Sequence, residues 1–172
     1  MTDSQDQAEV VAAIRAEAER IEEDATYSSK RHYEAHDIWN RRHLFIGLPA
    51  VVFSVLATAN LMQQVFPIIT GLMGVTVAVL TALLTFLKPS ERAAGHKAAG
   101  DQYLALRNDV RVFRTIDLAL QKPIDDLAGA VTILAKRRNE LNSASQQTPR
   151  PAFERARKGI EDGEARYTID KE

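Results

Sequence analysis

Residues 44–87 contain no Asp, Glu, Lys, Arg or His, whereas the chain on both sides is densely charged. Two apolar runs fill this gap. Residues 44–61 (LFIGLPAVVFSVLATANL) would extend about 27 Å as a helix, and residues 65–87 (VFPIITGLMGVTVAVLTALLTFL) about 34 Å. A bilayer's hydrocarbon core is roughly 30 Å thick, so each run reads as a membrane span. Only Met62, Gln63 and Gln64 separate them, which requires an antiparallel hairpin. The alternative is a soluble bundle with two buried central helices. It fits less well, because neither run has a polar face wide enough for a helix in so small a soluble domain.

The flanks carry helical periodicity. Residues 6–43 contain no Gly or Pro, and less polar positions recur at Ile14, Ala18, Ile21, Ala25, Ser28, His32, Ala35 and Trp39. That spacing predicts one long helix with a coiled-coil-like seam of small residues. Gly47 and Pro49 fall where it would enter the membrane, and Pro49 is expected to kink it. After the second run, Lys88-Pro89-Ser90-Glu91 reads as a break with Ser90 as N-cap and Glu91 in the first turn. A helix over 91–120 follows, with the seam His96, Ala99, Tyr103, Leu106, Val110, Phe113 and Leu120. Beyond Pro123, a helix over 124–141 carries Ile124, Leu127, Val131 and Leu134. Residues 142–151 read as a linker, 152–161 as a short amphipathic helix ended by Gly163, and 167–172 as a loose tail. The reading is therefore all-α: an N-terminal cytoplasmic helix (1–43), a two-transmembrane hairpin (44–87, with spans 44–61 and 65–87) and a C-terminal cytoplasmic helical region (88–172). The two flanks are expected to form a helical stalk.

Charge refines this picture. The 172 residues sum to −1, but residues 1–43 carry −4 and residues 88–172 carry +3, so the two flanks attract each other. Arg41, Arg42 and His43 precede the first span, and Lys88, Arg92 and Lys97 follow the second, while the link is uncharged. By the positive-inside rule both termini face the cytoplasm, with Trp39 at the headgroup level. The N-terminus is acidic and has no secretory-signal pattern. With no cysteine, disulfide staples, thiolate catalysis and Cys-based zinc sites are excluded.

Small and hydroxylated residues supply the candidate chemistry of the spans. Gly74, Ala78 and Ala82 recur every four residues, with Thr70, Thr81 and Thr85 on an adjacent face; Ser54 and Thr58 lie along the first span. Such ridges let membrane helices approach closely. They either pack the two helices of one hairpin or line a path between copies in a homo-oligomer, since two helices alone enclose no pore. His32, His36 and His43 share a helical face, and zinc binding there would need further ligands that the sequence does not show. Arg107, Arg111, Lys136, Arg137, Arg138, Arg155, Arg157 and Lys158 are candidate anion-binding residues, against the plainer reading of solvated helix faces. No phosphate loop, Ser/His/Asp set or paired-carboxylate site is present, so the chain reads as neither an enzyme nor a nucleic-acid binder, and no resident cofactor is expected.

Residues 31–60 (RHYEAHDIWNRRHLFIGLPAVVFSVLATAN) and 83–109 (LLTFLKPSERAAGHKAAGDQYLALRND) resemble the entry and exit of the membrane hairpin in the SLATT domain family, and 153–170 resembles that family's tail. The matching positions include Arg31, His32, Tyr33, Trp39, Pro49, Phe86, Pro89, Arg92, His96, Ala99, Tyr103 and Leu106. The resemblance implies a two-transmembrane effector in the bacterial inner membrane, coupled to a nucleotide-signalling anti-phage system. It would form or gate a pore that kills or arrests the cell. Implied partners are the bilayer, further copies of the chain, and a cyclic nucleotide or related second messenger or its synthase. Two alternatives remain beside it: a non-conducting membrane anchor or assembly subunit, and a membrane-tethered nucleotide-binding module.

Overall fold

The computed structural model describes residues 2–59, 64–120 and 122–167. All elements among them are helical: α1 (Thr2–Thr58), α2 (Pro67–Leu87), α3 (Pro89–Val112), a π-helical segment (Phe113–Asp117), α4 (Ile124–Ala144) and α5 (Arg150–Glu161). The Met62-Gln63 part of the link and residues 168–172 of the tail lie outside the described residues. Contacts divide the chain into two compact units, one of residues 1–35 with 96–172 and one of residues 36–95.

In the first unit the seam of α1 meets that of α3. Ile14, Ala18, Ile21 and Ala25 pack with Tyr103, Leu106, Val110 and Phe113, and α4 adds Leu127, Val131 and Leu141. Ser28, His32 and His96 are also buried. The small residues on α1 allow close approach. A Cβ at Gly100 would sit 3.0 Å from the Tyr33 ring, so α3 uses glycine where it passes that ring. The charge asymmetry between the flanks becomes specific pairs, Arg114 with Glu19 at 3.0 Å and Arg138 with Asp24 at 3.3 Å, while Lys30 with Glu164 at 2.9 Å pairs in the opposite sense. Each exposed pair stabilises by under about 1 kcal/mol, so they steer the packing that the apolar seam drives.

Three sequence expectations are corrected here. Leu120 is 64% exposed, and Leu118 takes the buried position instead. The cause is the π segment, in which the Leu118 N–H donates to the Phe113 carbonyl at 3.0 Å. One extra residue in that turn moves the apolar stripe on by about 100°. Ser90 is not an N-cap, because α3 begins at Pro89. Lys88 alone separates α2 from α3: its N–H donates to Leu84 and its carbonyl accepts from Arg92. Lys88 adopts φ 45°, ψ 51°, which turns the chain between the helices, and Pro89 suits the first helical position because that N–H has no helical acceptor. Finally, α4 runs to Ala144 and α5 starts at Arg150, so the break between them spans only 145–149. Gly163, at φ 91°, follows the end of α5.

In the second unit α1 and α2 pack as a hairpin. The helix passes through Pro49 without interruption and ends at Thr58, and α2 starts at Pro67; residues 60 and 61 of the first expected span lie outside the described residues. Both helices are long and apolar enough to cross a membrane, and their most apolar stretches are only 6% and 0% buried. Central helices of a soluble bundle would be mostly buried, so these surfaces match a lipid environment. On α1 the covered positions are Ile46, Gly47, Ala50, Phe53 and Ala57; on α2 they are Thr70, Met73, Val77, Leu80 and Leu84. Gly47 is the close-approach point, where a Cβ would lie 4.0 Å from Leu84 Cδ1.

Candidate functional site

At about 100° per residue, α2 sorts into three arcs. One, made of Met73, Val77, Leu80 and Leu84, faces α1. Next to it Gly74, Ala78, Thr81, Ala82 and Thr85 form an exposed arc of small and hydroxylated residues, with Thr70 at its border. The remaining arc carries exposed bulky residues, including Ile68, Leu72, Val75, Val79 and Phe86. The ridge around Gly74 and Ala78 is therefore not the surface that closes the hairpin, and a Cβ at Gly74 would meet nothing within 4 Å. Larger side chains make the intramolecular contact.

The exposed Ser54 and Thr58 of α1 lie beside its covered face. Ser54 and Thr81 line one open groove on the hairpin, together with Gly47, Ala50, Val77 and Leu84. The hairpin thus gathers Ser54 and Thr81, which the sequence could place only on separate spans. Several hydroxyls are internally satisfied. Thr70 donates to the Phe66 carbonyl, Thr85 to Thr81 and Thr58 to Val55, each at 2.9 Å. Back-bonding of this kind makes a hydroxyl tolerable in lipid.

The residues singled out around the membrane entry and exit form one cluster in each unit. In the hairpin unit the half-buried Trp39 lies between the guanidiniums of Arg42 and Arg92, at 4.7 and 4.8 Å from its ring centre. His36 Nδ1 is 2.9 Å from the Ala93 carbonyl, and Pro89 is fully buried. In the other unit His32 and His96 approach through their Nδ1 atoms at 3.1 Å. His32 stacks on Tyr103, whose hydroxyl donates to Asn142 Oδ1 at 2.7 Å. Burial, then His96, then Arg31 push the His32 pKa down to about 4, so this ring is neutral at pH 7. Tyr33 donates to Asp101 at 2.8 Å, and burial followed by this bond raises its pKa to about 12. His32, His36 and His43 do not converge on one another's partners, and among the described residues no group of three metal-ligating side chains gathers.

The candidate anion-binding residues are dispersed and mostly neutralised. Arg137 pairs with Asp109, Arg138 with Asp24, Arg157 with Glu161, Arg155 with Glu34 and Lys136 with Glu140. Arg107 and Arg111 stack on the Tyr167 ring, and Arg107 also donates to the Ala165 carbonyl. They form no common anion site.

A polar cavity of about 290 Å³ escaped the sequence reading. Arg31, His32, Tyr103 and Asn142 line it with residues 145–148 of the α4–α5 connection. The available signal was the uncharged Ser-Gln-Gln-Thr run in a stretch read as a linker.

A family model described as "SMODS and SLOG-associating 2TM effector domain family 4" matches residues 12–172. No curated protein and no solved structure matches the chain.

Proposed function

The chain belongs to the SMODS and SLOG-associating 2TM effector domain family, matched over residues 12–172, and on that footing we propose that it is an oligomeric membrane effector of a bacterial nucleotide-signalling defence system. It sits in the cell membrane with both termini cytoplasmic, and it acts through assembly, not catalysis. Copies meet through the small, hydroxylated arc of α2 and the Ser54–Thr58 edge of α1, and the path they enclose lets ions through. A nucleotide signal, acting on the helices outside the membrane, changes that assembly.

The observation that carries this reading is the uncovered ridge. The hairpin closes with Val77, Leu80 and Leu84 and leaves Gly74, Ala78 and Thr81 exposed. In lipid there is no hydrophobic drive between helices, so a small-residue ridge beside hydroxyls is the surface suited to a further helix.

The back-bonded hydroxyls of Thr58, Thr70 and Thr85 favour a second reading. A hydroxyl whose donor is committed to a backbone carbonyl sits in lipid without needing a wet path, as suits a non-conducting anchor or assembly subunit. Membrane potential in bacteria expressing the protein, with and without phage or a co-expressed nucleotide cyclase, separates the two. Signal-dependent depolarisation supports the effector. A steady potential with inserted protein and signal present favours the anchor.

A further inference from the structure

We propose that the cavity between α1, α3 and the α4–α5 connection binds a small phosphate-bearing ligand, with Arg31 as its charged contact. The cavity wall holds one cation, Arg31, and no carboxylate; the rest is amide, hydroxyl, imidazole and phenol. In the same unit Arg114, Arg137 and Arg138 have acidic partners, and Arg107, whose Nε is also unpartnered, is held by the Tyr167 ring and the Ala165 carbonyl. Arg31 has no hydrogen bond or ion pair with a described residue, and its Nε is buried without a partner. A part-buried guanidinium without a counter-charge is costly, and an oxyanion is the group that relieves it, through paired N–H donors in a fixed fork.

The other wall residues are arranged to add donors. Asn142 has its Oδ1 occupied by the Tyr103 hydroxyl, so it offers the cavity its NH2 group. His32 has its Nδ1 engaged with His96, so Nε2 is its remaining ring nitrogen, and it donates in the tautomer that accepts at Nδ1. Ser145, Gln146, Gln147 and Thr148 supply hydroxyl and amide groups. One cation among several neutral donors matches a tetrahedral oxyanion, which accepts more hydrogen bonds than a planar carboxylate.

Size narrows the class. Small-molecule sites usually run from roughly 300 to 1,000 Å³, and this cavity, at about 290 Å³, is at the lower limit. It accommodates a phosphate with a ribose-sized group, but not both halves of a cyclic dinucleotide. A ligand there would touch α1, α3, α4 and the connection to α5 together, and so would tighten the unit. The inference deepens the nucleotide-signal part of the proposed function, but it does not require the hairpin to conduct.

The test is calorimetric titration of the full chain in detergent micelles with inorganic phosphate, ribose 5-phosphate and AMP, with acetate as the carboxylate control. Micelles carry no membrane potential, so the result is independent of pore formation. We expect saturable 1:1 binding of the phosphate compounds and at least about tenfold weaker binding in Arg31→Gln. Arg137→Gln, which loses only its pairing with Asp109, should keep the wild-type affinity. Gln147→Ala, on the exposed connection, should weaken binding severalfold, and it decides the matter if Arg31→Gln does not fold. Absence of phosphate binding, equal affinity for acetate, or affinity unchanged in a folded Arg31→Gln or in Gln147→Ala would each overturn the proposal.

Discussion

His32 and His96 meet across the buried contact between α1 and α3 with their Nδ1 atoms 3.1 Å apart, a distance at which only one of the two can carry the shared proton. The groups facing His32 are His96 and Tyr103 on α3 and Arg31 on its own helix. None of them supplies negative charge, so an imidazolium here has burial and a neighbouring guanidinium against it.

A pH dependence follows. The folded-state pKa of His32 is about 4, below its ordinary 6.5, so between those values the unfolded chain binds more protons than the folded one. Stability is complete above about pH 6.5 and declines as pH falls towards 4, by at most about 3 kcal/mol from this group. Thermal unfolding followed by circular dichroism in micelles should show a lower midpoint at pH 5 than at pH 7.5. His32→Gln should flatten that difference; an equally steep profile in the variant would remove His32 as its source.

Leu118 and Leu120 offer a comparison free of pH. Leu118→Ala should destabilise the helical unit by about 2–4 kcal/mol, because it empties a buried position. Leu120→Ala, at an exposed site, should change stability by less than about 0.5 kcal/mol. A straight α-helical reading of the sequence gives the opposite order. Chemical denaturation of the two variants distinguishes the π segment from an uninterrupted α-helix.

Gly100 sits where α3 passes the ring of Tyr33, which is tied to Asp101 and not free to swing away. Gly100→Ala places a methyl group 3.0 Å from Tyr33 Cε1. The expected cost of displacing the ring is about 1–3 kcal/mol, which exceeds the gain in helix propensity of up to about 1 kcal/mol. Pairing it with Tyr33→Ala should restore part of the loss, measured as non-additivity in a double-mutant cycle.

These cases show what periodicity can and cannot convey. The seam positions Ile14, Ile21, His32, His96, Tyr103 and Val110 were legible because burial in a two-sided helical packing recurs every three or four residues, and all six are buried. The junction at Lys88 was not legible, since a left-handed lysine before a proline leaves no hydrophobic trace and Ser90 offers a familiar cap. The π segment shifts the stripe by one residue over a few positions, too short a stretch to register as a change of period. The fate of the basic residues was also hidden. Lys136, Arg137 and Arg138 look like one patch, but consecutive residues on a helix point in different directions. They turn to Glu140, Asp109 and Asp24 respectively. Conversely Arg31, which the sequence offered only as a family-matching position, gains its place in a cavity because Tyr103, Asn142 and the connection before α5 converge beside it.

The sharpest test of the membrane reading contrasts two neighbouring positions on α2. Val77 faces α1, whereas Ala78, one residue on, lies on the uncovered arc. Ala78→Leu adds bulk where no intramolecular neighbour needs space, so the hairpin should survive while contact with another copy through the ridge is blocked. Val77→Ala should do the reverse: it removes packing inside the hairpin and leaves the ridge intact. Light scattering of the detergent-solubilised protein should then give a smaller particle for Ala78→Leu and an unchanged one for Val77→Ala, and only the latter should lower the thermal midpoint of the hairpin. If Ala78→Leu retains the wild-type particle size, copies do not meet through this ridge. Thr81→Val extends the contrast to the groove that Thr81 shares with Ser54. In an assembled protein it should reduce ion conductance without altering particle size, and identical conductance would exclude Thr81 from the wall of any path.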